Sequence, residues 1–372
     1  MTPKRGNILP VIYPMITTYP AYSAVLAILG THKESYDWIY SHFLQIFAID
    51  KINRGDFSLS LSRAPYKSVF FGDVDNRLLV HSSSEYMFFS KDRCQYLDIF
   101  EVPTDLFASY NESVVSLIKR SIDLNMYLYV YADQSKIRAF NRSTEGPHPL
   151  FIFGYDDNMV NVADFVNGKF TFFECAYDEI ENAFHSAIKI PYNIMNLSKD
   201  SEAIALVRYN NYAPFIFDYS YIQDTIREYL YPNKSKVESY DNYIMSRFSF
   251  SDEKLKTYMG IDVYQYLADL FELQYNAGID IIDVRMYHAM YDHKEMMVKR
   301  IEYFLGKGYL SSEKSVYLEE YKAVRDRTLS IRNAILKHNI TKDRKILAKT
   351  VLKLAETKEL EIPLLKRIFD ID

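Results

Sequence analysis

The fold of this chain depends most on residues 148–184, which read H-P-L-F-I-F-G-Y-D-D-N-M-V-N-V-A-D-F-V-N-G-K-F-T-F-F-E-C-A-Y-D-E-I-E-N-A-F. The three apolar runs of this stretch are separated by two turn signals, D-D-N at residues 156–158 and N-G at residues 167–168. Apolar runs joined by such turns are typical of an antiparallel meander. After the meander, Asp178 and Glu181 form a D-x-x-E signal that predicts the start of a helix.

His148 opens the first predicted strand, and Asp164 lies in the second. A three-residue turn at 156–158 would pair residue 155 with 159, and the two side chains would then share one face of the sheet. A two- or four-residue turn without a bulge would separate them. A histidine beside a carboxylate is an oriented general base. The spacing also allows a plain surface histidine and an unrelated polar aspartate.

Composition excludes several classes of protein. The 44 basic and 49 acidic side chains of the 372 residues give a net charge of −5, which argues against a general nucleic-acid binder. Two cysteines supply neither a disulfide framework nor zinc-site spacing. We see no signal peptide and no apolar run long enough for a membrane span, so we expect a cytoplasmic protein. No glycine-rich phosphate loop is recognisable.

The N-terminal part mixes predicted helices and strands. A buried helix is expected at residues 21–29, with Thr17 or Thr18 as its N-cap and Gly30 as its stop. A second apolar helix is expected at residues 34–49. Further strands are predicted at 57–61, 68–71, 78–81, 86–89, 96–102 and 126–131, and helices at 111–124 and 219–229. Residues 203–207 form one more mixed segment, without an assigned type.

The C-terminal part is predicted to be helical from residue 252 onward. Apolar residues recur at three- and four-residue spacing in four segments, 255–275, 279–305, 311–338 and 341–369. Residues 234–243 are expected to form a linker or an exposed loop. We therefore expect an α+β domain at 1–235 followed by an α-helical domain at 236–372.

Three blocks of the chain resemble the butirosin biosynthesis protein H family, which has a papain-like fold. They are residues 10–46 with W-I-Y-S-H-F-L-Q, the core stretch from H-P-L-F-I-F-G-Y-D-D-N to Y-D-E-I-E-N-A-F, and a C-terminal block. The last contains G-I-D-V-Y-Q-Y-L and I-D-V-R-M-Y-H-A-M-Y-D-H-K-E-M-M. The resemblance covers about the first 190 residues and part of the helical tail. It implies a papain-like domain whose N-terminal helix packs on an antiparallel sheet.

The resemblance also implies an activity. Members of the family look like acyltransferases or amide-forming enzymes of secondary-metabolite pathways. They take an acyl group from a carrier-protein thioester and pass it to a small-molecule amine acceptor. The only cofactor implied is phosphopantetheine, carried by the acyl or peptidyl carrier protein that serves as substrate. No nucleic-acid or membrane partner is expected.

One position departs from the family pattern. His148 matches the family's base and Asp164 its orienting carboxylate, but Thr18 stands where the family has a nucleophilic cysteine before an aromatic residue. A threonine hydroxyl needs a strong base to become a nucleophile. Thr18 is therefore either the nucleophile, with Thr17 and Ser23 as poorer candidates, or only a helix cap. Cys94 and Cys175 are expected to be structural.

Three readings of function compete. The first is an acyltransferase that uses His148, Asp164 and Thr18. The second is a catalytically inactive relative that binds a carrier protein, an acyl chain or a partner enzyme. The third and weakest is a peptidase, by fold analogy alone. His288 and His293 lack metal-ligand spacing. A basic run, Lys337, His338, Lys342, Arg344, Lys345, Lys349 and Lys353, could dock an acidic carrier protein or could be a solvated helix face.

Overall fold

A computed structural model describes residues 6–52, 68–72, 94–110, 112–189, 204–212, 214–233, 254–276 and 281–372. Within these residues the chain is mixed α+β, with antiparallel sheets, many helices and a helical C-terminal region. It forms two compact units that alternate along the chain. The first comprises Met1–Tyr36 and Asn76–Phe215, and the second comprises Asp37–Asp75 and Ile216–Asp372. They do not coincide with the predicted division at residue 235, because residues 37–75 cluster with the C-terminal helices.

The first unit holds one sheet and the helices that cover it. Its described elements are β1 (Asn7–Ile8), α1 (Pro20–Leu29), β4 (Leu97–Val102), α3 (Thr104–Ser109), α4 (Val114–Asp123), β5 (Tyr127–Asp133), β6 (Pro147–Tyr155), β7 (Met159–Val166), β8 (Lys169–Ala176), α5 (Tyr177–Ala187) and β9 (Ile204–Tyr209). The strand order is β4-β9-β5-β6-β7-β8, with β1 paired to β6, and every pairing is antiparallel. All seven residues of β5 are buried. The core therefore lies on both faces of this sheet, at β5 and β6.

The predicted meander is confirmed as β6, β7 and β8. Asn167 and Gly168 both have positive φ, 51° and 75°, as a two-residue primed turn requires, and they join β7 to β8. The helix that follows begins at Tyr177, so the predicted start near Asp178 is displaced. Its N-cap is Ala176, whose backbone N–H donates to the carboxylate of Glu179. Glu179 is the third helical residue, and its side chain accepts the backbone N–H of the N-cap residue, as in one half of a capping box. Asp178 lies in the first turn.

The second unit combines a small sheet with long helices. Its described elements are α2 (Tyr36–Ser41), which begins at the last residue of the first unit, β2 (Gln45–Ile52), β3 (Ser68–Gly72), α6 (Tyr219–Leu230), β10 (Lys254–Met259), α7 (Asp262–Asn276), α8 (Arg285–Lys307), α9 (Ser315–Thr341) and α10 (Arg344–Phe369). The strand order is β10-β2-β3, all antiparallel. Helices α7 to α10 agree with the four predicted C-terminal helices, with shifted ends.

The predicted helix at residues 34–49 is wrong in its second half. Helix α2 ends at Ser41, Phe43 adopts a left-handed φ of 58°, and the chain continues as β2. The buried guanidinium of Arg300 donates to the carbonyl oxygens of Tyr40 and His42. This contact satisfies carbonyl groups that the end of the helix leaves unpaired. Because Arg300 is about 260 residues away, local sequence could not reveal the break.

The N-terminal end of the predicted helix at 255–275 is also wrong. Residues Lys254–Met259 form β10, paired with β2, and the helix begins only at Asp262. Gly260 separates them with a φ of +53°, and a Cβ there would lie 2.1 Å from the carbonyl oxygen of Tyr229. This position therefore accepts only glycine. The predicted strands at 57–61, 78–81 and 86–89 and the predicted linker at 234–243 lie outside the described residues.

Candidate active site

His148 and Asp164 meet on one face of the first unit's sheet. The imidazole Nδ1 of His148 lies 3.0 Å from Oδ2 of Asp164. The predicted juxtaposition of the two side chains is thus confirmed, whereas their catalytic roles remain predictions.

The strands reach this arrangement by a different route from the predicted one. Tyr155 pairs with Val160, so the turn spans four residues rather than three. Without correction, a four-residue turn would place His148 and Asp164 on opposite faces. Phe153 is an extra residue on β6, because the register shifts between Ile152 and Gly154. This β-bulge restores the register.

The turn between β6 and β7 is held by its own aspartate. Oδ1 of Asp156 accepts the backbone N–H groups of Asn158 and Met159, at 3.0 and 2.9 Å. The backbone N–H of Asp156 donates to the carbonyl oxygen of Met159. Asp156 therefore has a turn-forming role.

The surroundings of His148 assign its tautomer. Nδ1 faces two acceptors, the Asp164 carboxylate and the carbonyl oxygen of Pro149 at 3.1 Å. Nδ1 must therefore carry a proton, which leaves Nε2 as the basic nitrogen of the neutral ring. The side chain of His148 is 31% exposed, whereas that of Asp164 is 1% exposed. The pair thus presents a solvent-accessible imidazole backed by a buried carboxylate.

Gln134 is a third member of this cluster, and the sequence analysis missed it. Its Nε2 donates to Oδ2 of Asp164 at 2.8 Å, and the backbone N–H of Phe165 donates to Oδ1 at 2.7 Å. With His148, the carboxylate accepts three N–H groups, which is the environment of an acceptor-only carboxylate. No motif marks Gln134, because it reaches Asp164 from the end of β5, 30 residues away in the chain.

Asp133, to which the sequence analysis gave no role, anchors the segment before His148. Its Oδ1 accepts the backbone N–H groups of Ser135 and Gly146, and its Oδ2 accepts the hydroxyl of Ser186. Burial alone would raise the pKa of Asp133, but these hydrogen bonds, first that of Ser186, lower it. Asp133 is therefore a charged anchor at the entrance to β6.

Thr18 lies just outside helix α1. The N-cap residue is Tyr19, so the predicted N-cap at Thr17 or Thr18 is wrong, and Thr18 is 7% exposed. Pro20 occupies the first helical turn, where its missing N–H costs nothing. Ser23 is fully buried, and its one hydroxyl proton has two carbonyl acceptors within reach, those of Ile16 at 3.1 Å and Tyr19 at 3.0 Å. Either hydrogen bond occupies Ser23, and it is a poor nucleophile.

The N-terminal segment runs beside β6 towards His148. The backbone N–H of Leu9 donates to the carbonyl oxygen of Phe153, and β1 is antiparallel to β6. The chain then reverses into α1, and Ile12 donates to the carbonyl oxygen of Ala27. The C-terminal part of α1 is therefore held against the segment that follows β1.

The same segment lies over the opposite face of the sheet. The ring of Tyr13 packs edge-on against Phe170 and Phe172, at centroid distances of 6.2 and 6.4 Å. Thr171, between them, pairs with Asp164 and shares its face. The ring of Tyr13 therefore packs on the face of the sheet opposite to that of Asp164. The role of Thr18 as nucleophile stays a prediction.

Neither cysteine resembles an activated thiol. Burial raises the pKa of Cys94 to about 12. Burial, together with the neighbouring carboxylate of Glu179, raises the pKa of Cys175. A thiol with a raised pKa is not ionised near neutrality and is a weak nucleophile.

The two histidines of α8 lie in different surroundings. His293 is buried with Nε2 2.8 Å from the carbonyl oxygen of Leu44, and Nδ1 of His288 lies 3.2 Å from the guanidinium of Arg332. In the part of the chain that the structure describes, no group of three or more His, Cys, Asp or Glu side chains could hold a metal ion.

None of the helices among the described residues combines the length and apolar character needed to cross a bilayer. The chain matches no protein-family model and no curated protein sequence.

Proposed function

We propose that this chain is an acyl-transfer protein with a papain-like domain, in which His148 is the general base and Asp164 orients it. The observation that carries the proposal is the hydrogen bond between a solvent-accessible imidazole and a buried carboxylate. The resemblance to the butirosin biosynthesis protein H family supplies the reaction class, which is transfer from a carrier-protein thioester to an amine. The phosphopantetheine belongs to that carrier, and the chain itself needs no cofactor for this chemistry.

The chemistry follows from the tautomer. Nε2 of His148 accepts a proton from the attacking nucleophile as that nucleophile bonds to the thioester carbonyl carbon. Asp164 stabilises the resulting imidazolium through Nδ1–H. The carbon–sulfur bond then breaks, and the departing thiolate takes the proton from the imidazolium. Atoms and charge balance without any redox partner.

Thr18 decides between two routes of transfer. In the first, its hydroxyl forms an ester with the acyl group, which the amine then attacks. In the second, His148 activates the amine directly, and no acyl-enzyme forms. We expect intact-mass spectrometry after incubation with an acyl N-acetylcysteamine thioester to detect an acyl adduct in the first route, absent in Thr18→Ala and retained in Thr18→Ser. Full turnover by Thr18→Ala would eliminate the first route.

Thiol release from the same thioester, in the presence of a primary amine, tests the proposal as a whole. Release should fall at least about 100-fold in His148→Gln, because general-base catalysis contributes on the order of 10²–10⁴-fold. His185→Gln is the matched control, since His185 is also an exposed histidine of the first unit. Equal rates in both variants would contradict the proposed role of His148.

A catalytically inactive binding protein is the second candidate. The raised pKa values of both buried thiols favour it, because neither can replace the cysteine nucleophile of the family. This candidate predicts that the chain retains a carrier protein or a long-chain acyl thioester without turnover, and that His148→Gln binds equally well. Measured thiol release above the uncatalysed rate would exclude it.

A basic surface at the turn between α9 and α10 fits an acidic carrier protein. Six exposed basic residues lie between positions 336 and 353, with Asp343 as the only acid in that segment: Lys337, Lys342, Arg344, Lys345, Lys349 and Lys353. Ile340 adds an 82% exposed apolar side chain. His338, predicted to belong to this run, is buried against the carbonyl oxygen of Asp343 and contributes nothing to the surface.

Charge reversal tests this partner. Lys345→Glu/Lys349→Glu should weaken binding to an acidic acyl carrier protein at least about 10-fold at low ionic strength, and added salt should reduce the difference. Lys33→Glu/Lys169→Glu makes the same change of charge at exposed sites of the first unit. Equal weakening by both double variants would show a net-charge effect and no docking surface at the α9–α10 turn.

A further inference from the structure

We propose that Gln134 is a positioning residue that holds the carboxylate of Asp164 in the orientation His148 requires. This inference deepens the proposed function and rests on it for its catalytic meaning. Neither the turn signals nor the family resemblance points to Gln134. Three features of Gln134 support this role: its hydrogen bond to Asp164, its burial, and the turn that it forms with Asp133 at the end of β5.

Gln134 and His148 share one oxygen atom of the Asp164 carboxylate. Oδ2 of Asp164 receives both Nε2 of Gln134, at 2.8 Å, and Nδ1 of His148, at 3.0 Å. Two donors use both lone pairs of that oxygen. Oδ1 is held by the backbone N–H of Phe165. The carboxylate cannot rotate without breaking hydrogen bonds at both oxygens, and without Gln134 only His148 would hold Oδ2.

Gln134 is buried at a cost in folding free energy. The side chain is 2% exposed, and in the described residues its carboxamide oxygen has no hydrogen-bond partner. A buried polar atom without a partner destabilises the fold. An apolar side chain of similar size would avoid that cost. The arrangement therefore favours a role for the donor end of this carboxamide that packing alone does not supply.

The turn formed by Asp133 and Gln134 also positions the strand that carries His148. The backbone N–H of Gln134 donates to the carbonyl oxygen of Gly146, and Asp133 accepts the backbone N–H of Gly146. Gly146 immediately precedes β6, two residues before His148. One short segment at the end of β5 thus holds both the strand start that carries the base and the carboxylate that orients it.

Other charged groups lie near this turn. The ammonium of Lys136 is 4.0 Å from Asp133 and 3.9 Å from Glu145. Asp133, Lys136 and Glu145 are retained in the variants below, so they contribute equally to each His148 measurement. Differences between variants therefore report on residue 134 itself.

The test is the NMR titration of His148 in the full-length protein, assigned by loss of its signals in His148→Gln. Gln134→Met keeps the length of the side chain and removes the donor. Because the donor no longer neutralises part of the Asp164 charge, we expect the pKa of His148 to rise by about half a unit or more. Gln265→Met is the matched control, since Gln265 donates to Asp269 at 2.7 Å on the exposed surface of α7.

Gln134→Glu provides a second, polar variant of the same shape. A carboxyl buried beside Asp164 should share a proton with it and so keep a donor to Oδ2, and the pKa of His148 should stay closer to its wild-type value than in Gln134→Met. If folded Gln134→Met keeps both the wild-type pKa and the Nδ1–H tautomer of His148, or if Gln134→Glu shifts the pKa as far as Gln134→Met, the positioning role is wrong. This readout needs no turnover, so a chain that shows the shift but releases no thiol would retain the inference and lose the proposed function.

Discussion

The two units of this molecule each bury a carboxylate among hydrogen-bond donors, and they do so to different ends. Asp164 in the first unit is held by Gln134, by a backbone N–H and by an imidazole that is 31% exposed. Glu361 in the second unit is held by Lys294, and both side chains are 0% exposed. The comparison shows that access of solvent to the partner, more than the carboxylate itself, separates a candidate for chemistry from a structural ion pair.

Glu361 and the four side chains that donate to it form a cluster in which no residue is more than 1% exposed. Oε1 accepts the ammonium of Lys294 at 2.8 Å and the hydroxyl of Tyr321, and Oε2 accepts the hydroxyls of Tyr229 and Tyr264 at 3.0 and 2.8 Å. Burial lowers the pKa of Lys294, and the Glu361 carboxylate opposes that shift. Burial and the same carboxylate raise the pKa values of the three tyrosines, which therefore remain neutral donors.

The largest effect that we expect concerns this closed cluster. Glu361→Gln should lower the free energy of unfolding by about 3–5 kcal/mol, because it leaves the ammonium of Lys294 buried without a counter-charge. Urea denaturation at pH 7 measures the loss. Glu359→Gln, at an exposed position of the same helix, should change it by less than about 0.5 kcal/mol. A loss below about 1 kcal/mol in Glu361→Gln would contradict the view that this cluster is primarily stabilising.

An intermediate effect comes from buried neutral histidines of the second unit. Burial lowers the pKa of His42 from 6.5 to about 4, and burial with the nearby Lys294 lowers that of His293. Below pH 6.5 the unfolded chain takes up protons that the folded chain excludes. The stability that His42 contributes is therefore full above pH 6.5 and is lost as the pH falls towards 4.

From pH 6.5 to pH 5, His42 alone should reduce the free energy of unfolding by about 2 kcal/mol, since each proton taken up on unfolding changes it by about 1.4 kcal/mol per pH unit. Urea midpoints at several pH values measure this. His42→Gln should flatten the dependence by that amount, and replacement of the half-exposed His185 should not. An unchanged slope in His42→Gln would show that His42 is not neutral in the folded state.

The smallest effect on folding should come from replacing His148, the solvent-accessible partner of Asp164. His148→Gln should change the free energy of unfolding by less than about 1 kcal/mol, because the ring is partly hydrated and Asp164 keeps two other N–H donors. Thermal and urea unfolding measure it beside the thiol-release assay. A loss as large as that of Glu361→Gln would remove the contrast between the two clusters and make His148 a structural residue.

Much of the sheet was predictable because its signals are local. The turn residues at 156–158 and 167–168 and the alternating apolar runs predict the meander, and the structure contains it. The placement of His148 beside Asp164 was predicted for a partly wrong reason. The turn has four residues, and the bulge at Phe153 corrects the register. Gly154 follows Phe153, and a glycine inside a strand often marks a bulge, so the sequence did contain a signal for this shift.

Other features depended on distant partners. Gln134 could not be identified from the sequence, because no neighbouring residue marks it as a donor to Asp164. The contact exists only because β5, β6 and β7 pair in one sheet. The end of α2 and the start of β2 required Arg300, and β10 required β2 as its partner. Apolar runs of this length suit either a helix or a strand until a partner is known.

Local sequence patterns were enough to predict the mixed α+β class, the antiparallel meander, the helical C-terminal region and the pairing of His148 with Asp164. These depend on turn chemistry and on side-chain periodicity, which act over a few residues. Tertiary structure alone decided that His148 is accessible while Lys294 and Glu361 are sealed, and that Gln134 supports Asp164. Burial and hydrogen-bond partners are properties of packed elements, so no local pattern can specify them.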